Sequence, residues 1–367
     1  MEKDKLWMEK AVNLALKGRG YTGSNPIVGA VIVKEGECIG RGYHKNFGGD
    51  HAEIEALKDC RESPEGATMY VTLEPCCHFG KTPPCTLAIE KAKIKRVVVG
   101  CLDPNSLVRG KGVEYLKSRG IEVTLDVLKE KCSELNKEFL FSMSKKRPYI
   151  LLKSATSLDG KIATSKGESK WITSEESRMD SHRYRAVYNG ILVGIGTVLG
   201  DNPSLTNRSG VGENPNRIVL DSNLKVPLNA NILNIKDNAK TIIFTSSLDI
   251  EKKKLLEAGG AEIVKVNRDE YGGLSIVEIL KELYKRGIYK LLVEGGSKVH
   301  GSFLKSGFVD EVVYYIAPKL IGGKAARSSI EGIGIESLKD AMELEFSSVE
   351  KVGPDIKLVG RRKCLRD

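Results

Sequence analysis

At 367 residues, with 41% hydrophobic and 29% charged side chains and a formal net charge of +10, the chain exceeds what one hydrophobic core usually organises and holds apolar material for two domains of roughly 150 to 200 residues. No low-complexity tract marks a disordered arm, the opening MEKDKLW lacks the apolar run of a secretory leader, and no stretch approaches the ~20 apolar residues of a membrane span. A soluble cytoplasmic protein is the expectation. Basic residues are spread along the chain rather than massed, which argues against a nucleic-acid tail and leaves solvated Lys-rich faces or small anionic ligands to account for the charge.

In chain order, residues 3–17 place Leu6, Trp7, Val12, Leu14 and Ala15 at helical spacing, VGAVIVK (28–34) reads as a buried strand, and HAEIEALKDC (51–60) returns to helix. A strand at 67–73, a helix at 86–93, a strand at 96–102 and a helix from Gly112 to Arg119 complete a layered α/β domain. SKKRP (144–148) is a charged break ending in proline, which sets domain limits of 1–146 and 147–367. The second domain alternates again, with strands at GILVGIG, RIVLD, TIIFT, KLLVEGG and VVYYIAPKL and helices near 274–286 and 297–306.

Seven of the eight cysteines lie in the first 132 residues, leaving Cys364 alone beyond them. In a cytosolic chain that asymmetry points to a metal site rather than a disulfide framework. His51, Cys76 and Cys85 supply one imidazole and two thiolates, three protein ligands for zinc with the fourth position open to water, which is the arrangement of a catalytic site. Zinc in such a site lowers the pKa of water from ~15.7 toward ~7. Glu53, two residues after His51, is placed to move protons without ligating the metal. Both Pro75-Cys76 and His51 are read as helix starts, and the dipole there favours an ionised Glu53. Cys77 is read as a pocket residue or a bystander; Cys38, Cys60, Cys101 and Cys132 as small buried hydrophobes.

HAE (51–53), LEPCCHFGKTPPC (73–85) and VVVGCLDPNS (97–106) resemble the deaminase half of the bifunctional riboflavin-biosynthesis deaminase/reductase family. The resemblance implies a cytidine-deaminase-like three-layer fold, zinc on His51, Cys76 and Cys85, Glu53 as proton shuttle, and Asn25, His44, His78, Lys81, Asp103 and Asn105 lining the substrate pocket. For Asn25, Asp103 and Asn105, turn chemistry is an equal reading, since Asn-Pro and Asp-Pro-Asn form loops readily. Ser106 departs from the Asp-Pro-Asn-Pro of many relatives.

Beyond Pro148 the residues by themselves support only a phosphate-binding α/β domain: LLVEGGSKVHGSFLKSG (291–307) is strand, Gly-Gly turn and helix, without a G-x-G-x-x-G fingerprint. KSATSLDGKIA, GESKWIT, GILVGIGTVLGDNPSLTNR, RIVLDS and VEGG are similar, in the same order, to the reductase half of that family. The resemblance implies a dihydrofolate-reductase-like α/β fold. It implies NADPH contacts from Ala155, Trp171, Thr197, Asp201 and Ser222, and from Gly296, Ser297, Lys298, Val299, His300, Gly301 and Ser302. Ser169, Arg185, Leu205, Arg208 and Glu294 would contact substrate, Arg185 and Arg208 gripping a ribose phosphate and Glu294 accepting from sugar hydroxyls or the pyrimidine amine. Trp171 shields nicotinamide or sits in the core; Lys153 and Asp201 are candidates for proton transfer by location. The family reading further implies a phosphorylated pyrimidine as substrate, zinc and NADPH as cofactors, and a homo-oligomer. Its rivals are a nucleic-acid-editing deaminase, opposed by the long Cys76-to-Cys85 spacing and by the lack of an aromatic-basic RNA-binding motif, and a zinc-stabilised scaffold, which needs Cys77 or His78 as fourth ligand.

Overall fold

The computed structural model describes residues 2–79, 83–105 and 108–363, so Lys81, Ser106 and Cys364 lie outside the described residues. The chain divides into two compact units, Met1–Lys146 and Arg147–Asp367. No helix among the described residues is long and apolar enough to cross a membrane.

The first unit runs α1 (Glu2–Ala15), β1 (Gly29–Lys34), β2 (Glu37–Tyr43), α2 (Ala52–Lys58), β3 (Thr68–Leu73), α3 (Cys85–Lys91), β4 (Arg96–Cys101), α4 (Lys111–Ser118), β5 (Glu122–Thr124), α5 (Lys129–Leu135) and α6 (Lys137–Lys145). Its sheet has the order β2-β1-β3-β4-β5, β1 antiparallel to both neighbours and β3, β4 and β5 mutually parallel. Strand side chains alternate between two covered faces. Ile32, Met69, Val71, Val97 and Val99 pack with Ala56, Ile89 and Leu116 of the helices on one side, while Val31, Val33, Tyr70 and Val98 pack with Met8, Ala11, Val12 and Cys132 on the other. Burial on both faces explains why these strands read as continuous apolar runs.

Strand β2 escaped the sequence reading. ECIGRGY has two glycines and no apolar alternation, but Glu35 and Gly36, at φ of 51° and 88°, form the tight turn that folds it back on β1. Gly42 then lets α2 lie against it, because a Cβ there would stand 2.3 Å from the Ala56 amide nitrogen. Two further corrections follow. Ser144 and Lys145 belong to α6 rather than to a break, because Phe139-to-Met143 continues an amphipathic helix through them; the chain turns at Lys146, with φ of 57°. Cys38 is exposed and Cys60 half-buried, since β2 is an edge strand with one open face.

The second unit runs β6 (Tyr149–Ser157), α7 (Glu175–Val187), β7 (Gly190–Gly194), α8 (Ile195–Asp201), β8 (Asn216–Leu220), β9 (Thr241–Thr245), α9 (Ile250–Ala258), β10 (Ala261–Lys265), α10 (Ile276–Lys285), β11 (Lys290–Gly295), α11 (Ser297–Lys305), β12 (Glu311–Ala317), β13 (Leu344–Val352) and β14 (Asp355–Arg362). The sheet order is β10-β9-β8-β7-β11-β6-β12-β14-β13, parallel as far as β12 and closed by the antiparallel β14 and β13. Helices α7, α9 and α10 each begin at a Ser or Asp whose side chain accepts from the third residue on: Ser174 from Ser177, Asp249 from Lys252, Ser275 from Glu278. Ile150, Leu152, Leu192, Ile218, Ile242, Leu291 and Val293 from the strands form the core with Ile279, Leu283 and Phe303 from α10 and α11.

Candidate active sites

Strand β3 ends at Leu73, Cys76 follows in irregular backbone, and α3 starts at Cys85. The expectation of a helix beginning at Pro75-Cys76 is therefore corrected: Cys76 lies in the loop and only Cys85 opens a helix. His51 occupies the N-cap of α2. The three elements converge. His51 Nδ1 stands 3.2 Å from Cys85 Sγ and 3.5 Å from Cys76 Sγ, and all three ligand atoms lie within 4.8 Å of one another. A tetrahedral zinc with N and S ligands has ligand edges of about 3.6–3.8 Å, so the donors need move apart by only a few tenths of an ångström to hold the ion. The Cys76 thiol is pulled well below its ordinary value, by its bond with the Cys85 thiol first and, with burial opposing, by His51, while the Cys85 thiol is pushed up in return; metal binding requires both as thiolates.

Glu53, in the first turn of α2, is 3% exposed. Burial lifts its carboxyl to about 7, and the neighbouring Cys76 adds to the rise while His51 opposes it. The helix dipole was expected to favour an ionised Glu53, and burial acts against it.

Around this cluster, His44 is 3% exposed and both its ring nitrogens are engaged: Nδ1 donates to the Asp50 carbonyl at 2.9 Å and Nε2 accepts from the Asn25 amide at 3.1 Å. His44 thus orients Asn25, and its ring meets that of His51 edge-on at 5.5 Å. His78 Nδ1 is buried with no hydrogen-bond partner among the described residues. Asp103 is buried, its carboxyl raised to about 6 chiefly by that burial, and its Oδ1 accepts from the Asn105 amide at 2.8 Å. That last bond is the turn chemistry weighed for Asp103. Cys77 is half-buried beside the cluster, its thiol raised by burial. Sequence reasoning passed over Glu74, whose buried carboxylate bonds to backbone amides 29 to 39 residues further along; no spacing announces such partners.

In the second unit the chemistry-bearing residues gather toward the carboxyl ends of parallel strands, where ligands of open α/β sheets bind. Lys153 and Ala155 lie on β6, Thr197 and Asp201 in α8 after β7, Ser222 after β8, and Glu294 at the end of β11. Gly296, in the left-handed region with φ of 82°, lies against Thr197, whose Oγ1 a Cβ there would approach to 3.7 Å. Arg185 of α7 grips Glu294 through Nε and Nη2 at 2.9 and 2.8 Å and donates through Nη1 to the Thr206 carbonyl. Lys153 Nζ lies 4.0 Å from the same carboxylate. Burial pushes the Lys153 ammonium below its ordinary value, against the pull of Glu294.

Residues 297–302 are helix rather than turn. Ser297 and His300 are buried, and both face a segment near residue 330: Ser297 Oγ donates to Glu331 at 2.7 Å and His300 Nδ1 donates to the Ser329 carbonyl at 3.0 Å. Gly301 admits that segment, since a Cβ would meet the Glu331 carbonyl at 1.7 Å. Lys298, Val299 and Ser302 occupy the same helix, with Val299 packed on the core. Trp171 is 63% exposed, which removes the core reading, and Arg178 lies over its ring at 4.4 Å. Asp201 pairs with Lys170 at 3.6 Å. Ser169 is half-buried, Leu205 is buried in a left-handed conformation with φ of 53°, and Arg208 is exposed with its amide donating to His182 Nδ1.

Comparison with known proteins decides the family. Residues 148–358 match the RibD C-terminal domain, and residues 1–101 match the cytidine and deoxycytidylate deaminase zinc-binding region. The riboflavin biosynthesis protein RibD of Bacillus amyloliquefaciens is 46% identical, over 99% of this chain and 98% of its own. The chain belongs to the RibD family. The RibD protein of Aquifex aeolicus is 47% identical over 98% of this chain and 99% of its own. Among solved structures, Acinetobacter baumannii RibD aligns with a TM-score of 0.90 at 37% identity, and the Thermotoga maritima deaminase/reductase with 0.85 at 39%, each covering 99% of both chains. As a RibD, the chain joins a deaminase-like three-layer domain to a dihydrofolate-reductase-like domain. It is a bifunctional deaminase and reductase of riboflavin synthesis, with zinc and NADPH as cofactors.

Proposed function

We propose that residues 1–146 deaminate 2,5-diamino-6-(5-phosphoribosylamino)pyrimidin-4(3H)-one by hydrolysis. Residues 147–367 then reduce the ribosyl side chain of the product to give 5-amino-6-(5-phosphoribitylamino)uracil. The observation that carries the reading is the convergence of His51, Cys76 and Cys85 on one metal-sized position beside a buried Glu53.

In the deaminase, His51 Nδ1 and the Cys76 and Cys85 sulfurs hold the metal. Zinc, when bound, supplies a Lewis acid that makes water acidic near neutral pH. Glu53, buried beside the ligand set, takes a proton from the attacking water and passes it to the ring nitrogen and then to the departing amine. Asn25, oriented by His44, together with His78, Asp103 and Asn105, holds the amino and carbonyl edges of the pyrimidine. Lys81 is assigned to the phosphate through the resemblance.

In the reductase, Ala155, Trp171, Thr197, Asp201, Ser222 and the 296–302 segment border the cofactor, which when bound supplies the hydride. Because Arg185 is committed to Glu294, its role is to fix that carboxylate toward the sugar hydroxyls, and the exposed Arg208 is the phosphate ligand. Ser169 and Leu205 complete the substrate side. Lys153, buried beside Glu294, is positioned to hold a proton near the reacting sugar carbon.

The enzyme acts in the cytoplasm, in keeping with seven free thiols among the described residues. Copies associate, for which the exposed Phe346 and Val349 of edge strand β13 offer a surface that light scattering would test. The test of the chemistry is Glu53→Gln in zinc-loaded protein. Ammonia release should vanish while zinc content and NADPH oxidation on the deaminated substrate persist; undiminished ammonia release refutes the assignment.

A further inference from the structure

A carboxylate taken out of water needs hydrogen-bond donors. Glu74 is 4% exposed, and four backbone amides satisfy it. Gly112 and Val113 donate to Oε1 at 3.0 and 3.2 Å, and Gly110 and Asp103 donate to Oε2 at 3.0 and 3.3 Å. Three of those amides open α4. First-turn amides have no partner within their own helix, and the N-cap residue, Gly110, in the left-handed region with φ of 77°, has no side chain to offer them. Glu74 therefore caps α4 from the end of β3.

The fourth amide belongs to Asp103, whose side chain in turn fixes Asn105. In the chain, Glu74 is followed by Pro75 and the metal-ligand candidate Cys76. The helix start is pressed onto this turn, because a Cβ on Gly112 would lie 2.2 Å from the Pro75 carbonyl oxygen and 3.1 Å from Glu74 Oε1. One carboxylate thus ties together the Cys76 turn, the start of α4 and the Asp103–Asn105 loop.

We propose that Glu74 is a positioning residue of the deaminase: it sets the separation between the Cys76 turn and the Asp103–Asn105 loop, so that the loop holds the pyrimidine against the metal centre. The proposal rests on the reading of Cys76 as a zinc ligand and of Asp103 and Asn105 as substrate contacts. A purely structural staple would behave differently. Its loss would lower the fraction of active molecules, and hence the apparent kcat, without changing the affinity of those that remain.

The experiment uses the full-length zinc-loaded enzyme and three variants. Glu74→Gln keeps the shape but turns one acceptor oxygen into a donor, so two of the four amides lose their partner. Gly112→Ala leaves the carboxylate intact and pushes α4 off Pro75. Asp103→Ala removes the substrate contact itself. With zinc content and NADPH-dependent reduction retained, Glu74→Gln and Gly112→Ala should each raise the KM of deamination by about tenfold or more while kcat stays within about threefold. Glu74→Gln combined with Asp103→Ala should raise KM no further than Asp103→Ala alone, because Glu74 acts through that loop. If one variant fails to retain zinc, the KM of the other decides. An unchanged KM in the Glu74 and Gly112 variants beside a raised KM in Asp103→Ala overturns the positioning role. An unchanged KM in Asp103→Ala overturns the pocket reading, and the proposal with it.

Discussion

Arg185 and Glu294 meet side by side, Nε to Oε1 at 2.9 Å and Nη2 to Oε2 at 2.8 Å, in a bidentate pair whose side chains are only 18% and 7% exposed. Burial alone would push the carboxyl up, but Arg185 and then Lys153 outweigh it and hold Glu294 at about 2. A charge pair taken out of water is sensitive to loss of one member, since the other is left buried and uncompensated.

Glu294→Gln should therefore destabilise the second unit by about 3–5 kcal/mol, whereas the joint replacement Arg185→Met/Glu294→Leu should recover most of that loss. Denaturant unfolding of the variants measures both. Equal destabilisation by the single and the double replacement would show that packing, or the buried Lys153 left without its carboxylate, rather than the orphaned Arg185 sets the cost. Neither protein should reduce substrate.

The acid limit of the same unit has a defined sign. His300 and His182 are each held at about 4 rather than 6.5, burial being the main cause, with Lys153 and Glu294 facing His300 and Arg185, Glu294, Arg208 and Lys153 acting on His182. Below 6.5 the unfolded chain takes up protons at both rings that the folded chain refuses until about 4. Stability should therefore fall as pH drops through that window. Glu294, lowered from 4.5 to about 2, contributes stability that is fully present above 4.5 and is lost as pH falls toward 2. Thermal melts from neutral pH down to pH ~4 test this: the midpoint should decline below 6.5, less steeply in His300→Gln. A flat profile in the unmodified protein would contradict the neutral state of these rings.

In the first unit, Asn136 is 4% exposed and bonds reciprocally to one residue, its Oδ1 accepting from Ile27 N and its Nδ2 donating to Ile27 O, both at 2.8 Å. Asn136→Ala orphans a buried amide and a buried carbonyl, at a cost of roughly 2–4 kcal/mol for the two. Urea unfolding should show that loss. Because Ile27 lies two residues from Asn25, deamination should also weaken, while NADPH oxidation on the deaminated substrate stays unchanged. A stability loss under ~0.5 kcal/mol would mean that water replaces both bonds.

The strands found by apolar runs, β1, β3 and β4 in the first unit and β7, β8, β9 and β11 in the second, were legible because both faces of each sheet are covered and every residue in the run is driven inward. Strands β2, β10 and the β13–β14 hairpin were not, because β2, β10 and β13 lie at sheet edges and the runs carry mixed or exposed side chains rather than a continuous apolar pattern. His51, Cys76 and Cys85 could be grouped in advance because metal chemistry restricts donors to a few residue types and the motif fixes their order. Arg185 and Glu294, 109 positions apart, carried no such mark.

What the amino-acid sequence determined by itself was therefore local and chemical: the periodicity that builds two layered α/β units, the donor set suited to zinc, and the motifs of a deaminase and a reductase. Tertiary structure alone decided which charges neutralise one another, that Glu53 is buried beside the metal-ligand set, and that Glu74 caps a helix beginning 37 residues later. The physical reason is that desolvation and hydrogen-bond satisfaction depend on what surrounds a group in space, and those neighbours come from distant parts of the chain.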